Sequence, residues 1–354
     1  MSLRGRPTRT RGAKTAARRS WSAMFHDGIN LDRRAVLRGG AAVLAVGLAG
    51  CSGGARDAGA LRVSITGKGE GDPRLLFRHA GLEPDFPISY SEFQSGHLVV
   101  EAFNAGSLDL GGTSEIPPVF AAASTVQSFC QIAVNHGDVN NQVVLVPAGS
   151  TIRDLAGLKG KRVGYVRATT SQYFLIQMLE SVGLKWSDIE PIAMMVSDGA
   201  AAFSRGSLDA WAIYGFPIQR ALATEGARVL KTALGFLSGN YVVCAHEQAL
   251  ADAVKSRQIE AYLQLLGRGY AWATRNRDRW AGIIAGEIGV PADYIRDQFR
   301  RQSASYQLRP VTPEAIRSQQ EVADVFTGAG LIPRHVDVRP LWTDRYNSII
   351  AKEV

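Results

Sequence analysis

The sequence predicts an α/β fold made of two similarly built lobes, joined by two crossovers and finished by helices. Three observations carry this. From Leu61 onward, short β-branched or apolar runs alternate with helical patterns, the signature of βα units on a mostly parallel sheet. The segment Phe103-Asn104-Ala105-Gly106-Ser107-Leu108-Asp109 recurs one hundred positions later as Phe203-Ser204-Arg205-Gly206-Ser207-Leu208-Asp209. Beyond Ala245 the pattern is helical through Arg339, with no further strand pairs expected.

In chain order, strands are expected at Leu61–Thr66, Ile88–Phe93, Leu108–Gly111, Val143–Pro147, Arg162–Val166, Ile192–Met195, Ala210–Tyr214 and Asn240–Ala245. Helices are expected between them at His97–Asn104, Gln172–Val182 and Ala200–Arg205. The final helices are expected at Glu247–Arg257, Ile259–Arg275, Arg277–Glu287, Pro291–Arg301 and Pro313–Thr327. In each copy of the repeat, Gly ends a helix in the left-handed conformation, Ser turns the chain and Leu-Asp opens a buried strand. Duplicated lobes follow. Residues 61–147 and 240–345 form the first, residues 148–239 the second, and hinges fall near Ala148 and Gly239, where Gly, Ser and Pro cluster.

The 354 residues, 46% of them hydrophobic, are ample for such a core. The formal charge of +8 resides in the first fifty residues, where ten Lys and Arg face only Asp27 and Asp32. The remainder is neutral, with no field to draw it onto a nucleic acid. Residues 1–50 read as an export leader. Asp32-Arg33-Arg34-Ala35-Val36-Leu37-Arg38 has the paired arginines of a twin-arginine signal, and Gly39–Gly50 is too short to remain as a membrane span. Leu48-Ala49-Gly50-Cys51 has the form of a lipobox, making Cys51 the lipidated N-terminus of the exported chain. Residues 51–60, rich in Gly, Ala and Ser, form a tether. Cys130 and Cys244 lack metal-ligand or redox spacing, and no disulfide is expected between them.

In open α/β sheets, ligands sit beyond the carboxyl ends of strands. Three polar turns meet that condition: Gln94-Ser95-Gly96, Thr113-Ser114-Glu115 and Thr169-Thr170-Ser171. Each places hydroxyls beside the free amides and positive dipole of a helix start, which suits an oxyanion without any basic side chain. Trp211 and Tyr214, at the end of the second repeat strand, are candidate walls for an organic ligand. Asn240, which opens the returning strand, completes the set. The Gly67–Asp72 run does not fit a dinucleotide fingerprint. No catalytic residue, metal or cofactor is expected.

Three motifs go further. Glu101–Gly111 continuing through Thr113-Ser114-Glu115-Ile116-Pro117-Pro118, then Asp154–Val163, then Leu208–Ile213, resemble the sulfonate, taurine and nitrate group of ABC-transporter solute-binding proteins. The resemblance spans nearly all of residues 61–340 and is greatest to the aliphatic sulfonate members. It implies a periplasmic-binding-protein type II fold, a small organic anion as ligand, and an ABC permease and ATPase as partners. The chain is then exported, held at the membrane by its lipid, and expected to act as a monomer. Where family members carry an acidic residue after the strand aromatic, this chain has Gly215. An amine-bearing ligand such as taurine thereby loses its counter-charge. The alternatives are a binding protein for another anion such as nitrate or taurine, and an enzyme resembling aromatic sulfinate desulfinases, which carry a Cys nucleophile near the first strand; this chain has none there.

Overall fold

The structure, a computed structural model, describes residues 59–67, 69–124 and 127–352. The export leader with Arg33 and Arg34, the lipidation candidate Cys51, most of the tether, and Lys68 lie outside these residues. The described strands are β1 (Leu61–Thr66), β2 (Ile88–Phe93), β3 (Leu110–Ser114), β4 (Phe129–His136), β5 (Gln142–Val146), β6 (Arg162–Tyr165), β7 (Glu190–Ala193), β8 (Ala210–Tyr214), β9 (Arg228–Thr232), β10 (Asn240–His246) and β11 (Gln307–Arg309).

They form two sheets, ordered β11-β4-β10-β3-β1-β2 and β7-β6-β8-β5-β9. Each is built around the same parallel trio, β2-β1-β3 in one and β7-β6-β8 in the other. An antiparallel strand then flanks the third member, β10 beside β3 and β5 beside β8. The chain crosses between sheets after β4, through residues 137–141, and again after β9, through residues 233–239.

The first crossing comes earlier than expected. Gln142 to Leu145 pair with Tyr214 to Trp211, so this strand belongs to the second sheet and not to residues 61–147 as a unit. Three strands were not anticipated. β9 and the short β11 are edge strands, whose single paired side demands little apolar patterning. β4 lies between two neighbours, and although Gly137 follows it, no Gly or Pro marks its start and its polar Gln131 and Asn135 interrupt the apolar run.

The repeated segment is a repeated structure. Asp109 accepts from Arg62 through its backbone N–H and through its side chain, with Nη2 to Oδ1 at 2.6 Å; Asp209 does the same with Arg162 at 2.9 Å. Each arginine also donates to the glycine carbonyl of its copy, Arg62 to Gly106 at 2.7 Å and Arg162 to Gly206 at 3.3 Å. Both glycines are left-handed, at φ 68° and 71°, where a Cβ would be strained. The Leu-Asp pair precedes β3 and β8 instead of opening them.

The helices of the last third cover the first sheet. Ala253–Arg275 is one long helix, packing through Ile259, Tyr262, Leu263 and Leu266 against Leu61, Val63 and Leu76. The separate segments expected near Glu247–Arg257 are instead a short turn of helix, Glu247–Ala251, and the start of this long one. Pro313–Gly328 brings Val322 and Phe326 against Ile116 and Val119 on one side and Tyr173 and Ile176 on the other. It thus bears on elements of both sheets. Cys130 and Cys244 are free, and they pack in different clusters on opposite sides of the first sheet.

Candidate functional site

A cavity of about 240 Å³ lies where the two sheets face each other, far above the ~15 Å³ that one water needs. The first sheet and its helices contribute Ser64, Thr66, Gly96, Gly111, Thr113, Ser114, Asn135, Tyr241, Tyr262, Leu266, Tyr270 and Tyr306. The second sheet, with the first crossover, contributes Asn141, Gln142, Thr169, Thr170, Tyr214 and Gly215. None of the described residues that line it is charged.

Its polar end is made by strand tips and helix starts. The helix Gly96–Asn104 and the helix Thr170–Glu180 both begin at this cavity, and neither N-cap hydroxyl, Ser95 or Thr169, accepts from a backbone amide of its own first turn. Those first-turn amides have no partner within the helix and carry the positive end of its dipole. Gly96 is required here by proximity: a Cβ would stand 2.0 Å from Thr113 Oγ1. Ser64 Oγ and Thr113 Oγ1 are buried without a hydrogen-bond partner, and the hydroxyls of Ser114 and Thr170 make no bond among the described residues. The arrangement offers donors from both sheets to one small oxyanion, and among the described residues lining it there is no cation to oppose release.

The sequence-predicted residues divide. Gly96, Thr113, Ser114, Thr169, Thr170 and Tyr214 line the cavity. Ser95, Gln94, Glu115, Ser171, Trp211 and Asn240 do not, and each is occupied elsewhere. Ser95 Oγ is bonded to His97 Nδ1 at 2.8 Å, and Gln94 Oε1 accepts from Ser197 Oγ at 3.1 Å, an exposed bond between elements of the two sheets. Ser171 Oγ accepts from Val166 N–H at 2.9 Å, so its hydroxyl closes the loop that carries Thr170. Trp211 is core, only 1% exposed, with its ring 5.6 Å from that of Phe203. Glu115 is buried behind the site, accepting from Ser238 Oγ at 2.6 Å, Ser318 Oγ at 3.2 Å and Asn240 Nδ2 at 3.4 Å. Burial, only partly offset by these donors, pushes its carboxyl up to about 7.

The aromatic wall comes from a different source than Trp211. Tyr306 is the middle ring of three, stacked on Tyr270 at 5.8 Å and 5.9 Å from Tyr241. Tyr262, Leu266 and Tyr270 extend the wall along one face of the long helix. Three amides lean on these rings: Gln142 Nε2 donates to Tyr241 Oη at 2.7 Å, Asn135 Nδ2 to Tyr270 Oη at 2.7 Å, and Asn141 Nδ2 to Tyr306 Oη at 3.4 Å. The run Asn135 to Gln142, polar between two apolar strands, is the signal that marks them in the sequence. For the tyrosines there is only a helical stripe, which a core helix would also show.

The charges lie outside. Arg74, in the helix after the first strand, is bonded to Asp72 at 2.7 Å and lies 3.5 Å from Glu92; it does not line the cavity. Glu70 sits behind Tyr270 and Tyr306, accepting from Gln302 Nε2 at 2.7 and 2.8 Å, and burial pushes its carboxyl up to about 8. Among the described residues no cluster of His, Cys, Asp and Glu is placed to hold a metal, and no helix is long and apolar enough to cross a membrane.

Comparison with known proteins places this geometry. Residues 77–279 match the family model described as NMT1/THI5 like. An Escherichia coli strain K12 protein named as an aliphatic sulfonates-binding protein is 32% identical over 284 residues, which are 79% of this chain and 87% of that one. The crystal structure of the periplasmic aliphatic sulphonate binding protein from Escherichia coli superposes with a TM-score of 0.69 at 30% identity, covering 81% of this chain and 92% of that one. The alkanesulfonate-binding protein from Xanthomonas axonopodis pv. citri, bound to MOPS, gives 0.70 at 25% identity, covering 80% and 98%.

Proposed function

Because the chain belongs to the NMT1/THI5-like family, with the periplasmic-binding-protein fold and a solute-binding role, we propose that it is the lipid-anchored receptor of an ABC importer for a sulfonate. The observation that carries the ligand class is the cavity itself: hydroxyls and helix-start amides from both sheets converge on a space lined by no described charge. A sulfonate group accepts hydrogen bonds on all its oxygens and needs such donors, while the tyrosine wall takes its organic part.

Capture proceeds without bond breaking. The anion bridges donors of the first sheet, Ser114 and Thr113, to those of the second, Thr170 and the helix start it opens, and so favours the closed arrangement that a permease and its ATPase recognise. Residues 137–141 and 233–239 are the segments on which the halves turn. The desulfinase alternative is not favoured, since neither Cys130 nor Cys244 lines the cavity and the relatives are binding proteins. Anchoring rests on the Leu48–Cys51 motif and export on the paired Arg33 and Arg34.

A thermal-shift screen of alkyl and aryl sulfonates, taurine, sulfate and nitrate tests the ligand class. Sulfonates at a hundredfold excess over Kd should add about 2.7 kcal/mol of stability. Stabilisation by nitrate or sulfate alone would refute the assignment. Incorporation of labelled fatty acid, lost in Cys51→Ser, tests the anchor.

A further inference from the structure

We propose that the ligand carries, on its organic part, an uncharged hydrogen-bond donor such as a hydroxyl, received by the amide oxygen of Gln142. This rests on the sulfonate reading and narrows it from alkanesulfonates to hydroxy-substituted ones.

The orientation of Gln142 is set by its neighbour. The Tyr241 hydroxyl donates its single proton to the Asp138 carbonyl at 3.0 Å. What approaches it from Gln142 at 2.7 Å must therefore be the NH2 end, because an amide oxygen would face another acceptor. Gln142 Oε1 is left buried in a cavity-lining residue without a partner, and the side chain is only 2% exposed. Asn135 and Asn141 also line the cavity and meet the Tyr270 and Tyr306 hydroxyls at 2.7 and 3.4 Å, but among the described residues no carbonyl takes those hydroxyl protons, so Gln142 alone has its acceptor end fixed.

A free acceptor in this wall is the opposite of what a sulfonate oxygen or an alkyl chain requires. An alkyl chain against it leaves a buried acceptor dry, whereas a donor satisfies it. The donor is uncharged because no described carboxylate lines the cavity to neutralise an ammonium. Glu70, behind the tyrosines, already accepts from Gln302.

Titration calorimetry with the intact exported chain tests this on a matched series: hydroxypropanesulfonate, butanesulfonate, methoxyethanesulfonate and aminopropanesulfonate. The hydroxy compound should bind roughly tenfold or more tighter than the alkyl and methoxy compounds, which offer no donor. Equal or tighter binding of butanesulfonate overturns the proposal while leaving the sulfonate reading intact. Tightest binding of the amino compound overturns it too, in favour of a cation. Binding of none of the four overturns both readings. In Gln142→Met the advantage of the hydroxy compound over butanesulfonate should fall severalfold, and an undiminished advantage overturns the proposal; the wild-type series decides the matter if that variant does not fold.

Discussion

The backbone N–H of Gly137 donates to the carbonyl oxygen of Gly239 at 2.9 Å, so the two crossovers between the sheets are tied to each other. Gly239 adopts φ +82°, and a Cβ there would stand 2.9 Å from the Gly137 oxygen and 3.0 Å from His136 Cε1. Gly239→Ala should cost about 1–3 kcal/mol of stability, through left-handed strain and loss of this contact. Urea unfolding monitored by tryptophan fluorescence reads the change, and an unaltered midpoint would show that the crossovers are not held by this bond.

Ser114→Ala and Thr170→Ala each remove a hydroxyl that has no other duty among the described residues. Each should weaken sulfonate binding by about 1–2 kcal/mol while leaving unliganded stability within about 0.5 kcal/mol. Ser171→Ala inverts the pattern, because its hydroxyl accepts from the Val166 amide and is buried. It should lose about 1 kcal/mol of stability. Calorimetry paired with thermal melts separates the two classes.

Trp211→Leu should lower stability by about 3 kcal/mol, the cost of a cavity in the second lobe's core, with sulfonate affinity unchanged in the folded fraction. The Trp211 ring packs between Phe203 and Gly199, whose missing Cβ would otherwise meet it at 2.8 Å. A selective loss of affinity without loss of stability would return Trp211 to the site.

The Glu115 carboxyl is pushed up to about 7 by burial, from an ordinary 4.5. A carboxyl raised in the folded state binds its proton more tightly there than in the unfolded chain. Its contribution is therefore complete below about pH 4.5 and is lost as pH rises through about 7. The loss is on the order of 3 kcal/mol across that window. Glu115→Gln, which keeps an oxygen for Ser238, should flatten this part of the stability profile measured between pH 5 and pH 8. A profile identical to wild type would place the titration elsewhere.

Much of this fold could be read from local pattern. β1, β2 and β8 begin and end where alternation and flanking turns put them, and the five-residue frame shared by Phe103–Asp109 and Phe203–Asp209 marks a true structural duplication. The arginines that complete each copy, Arg62 and Arg162, escaped notice because their partnership spans a whole βα unit and leaves no local trace. The polar end of the cavity was legible because strand tips and helix starts carry their own sequence marks. Ser95 and Ser171 misled for the same reason, since a hydroxyl that builds a loop and one that meets a ligand look alike until its partner is known. The tyrosine wall was illegible: Tyr241, Tyr262, Tyr270 and Tyr306 meet only through tertiary packing.

The two arginine–aspartate clamps grip β1 with β3, and β6 with β8, at the ends of the trios remote from Ser114 and Thr170. On the proposed function, assembly of the halves and choice of cargo are thus written in separate parts of the chain. Tips such as Gly112–Ser114 or Arg167–Thr170 are free to drift toward new nutrients while the clamped ends keep each half in register, so one scaffold can serve many importers.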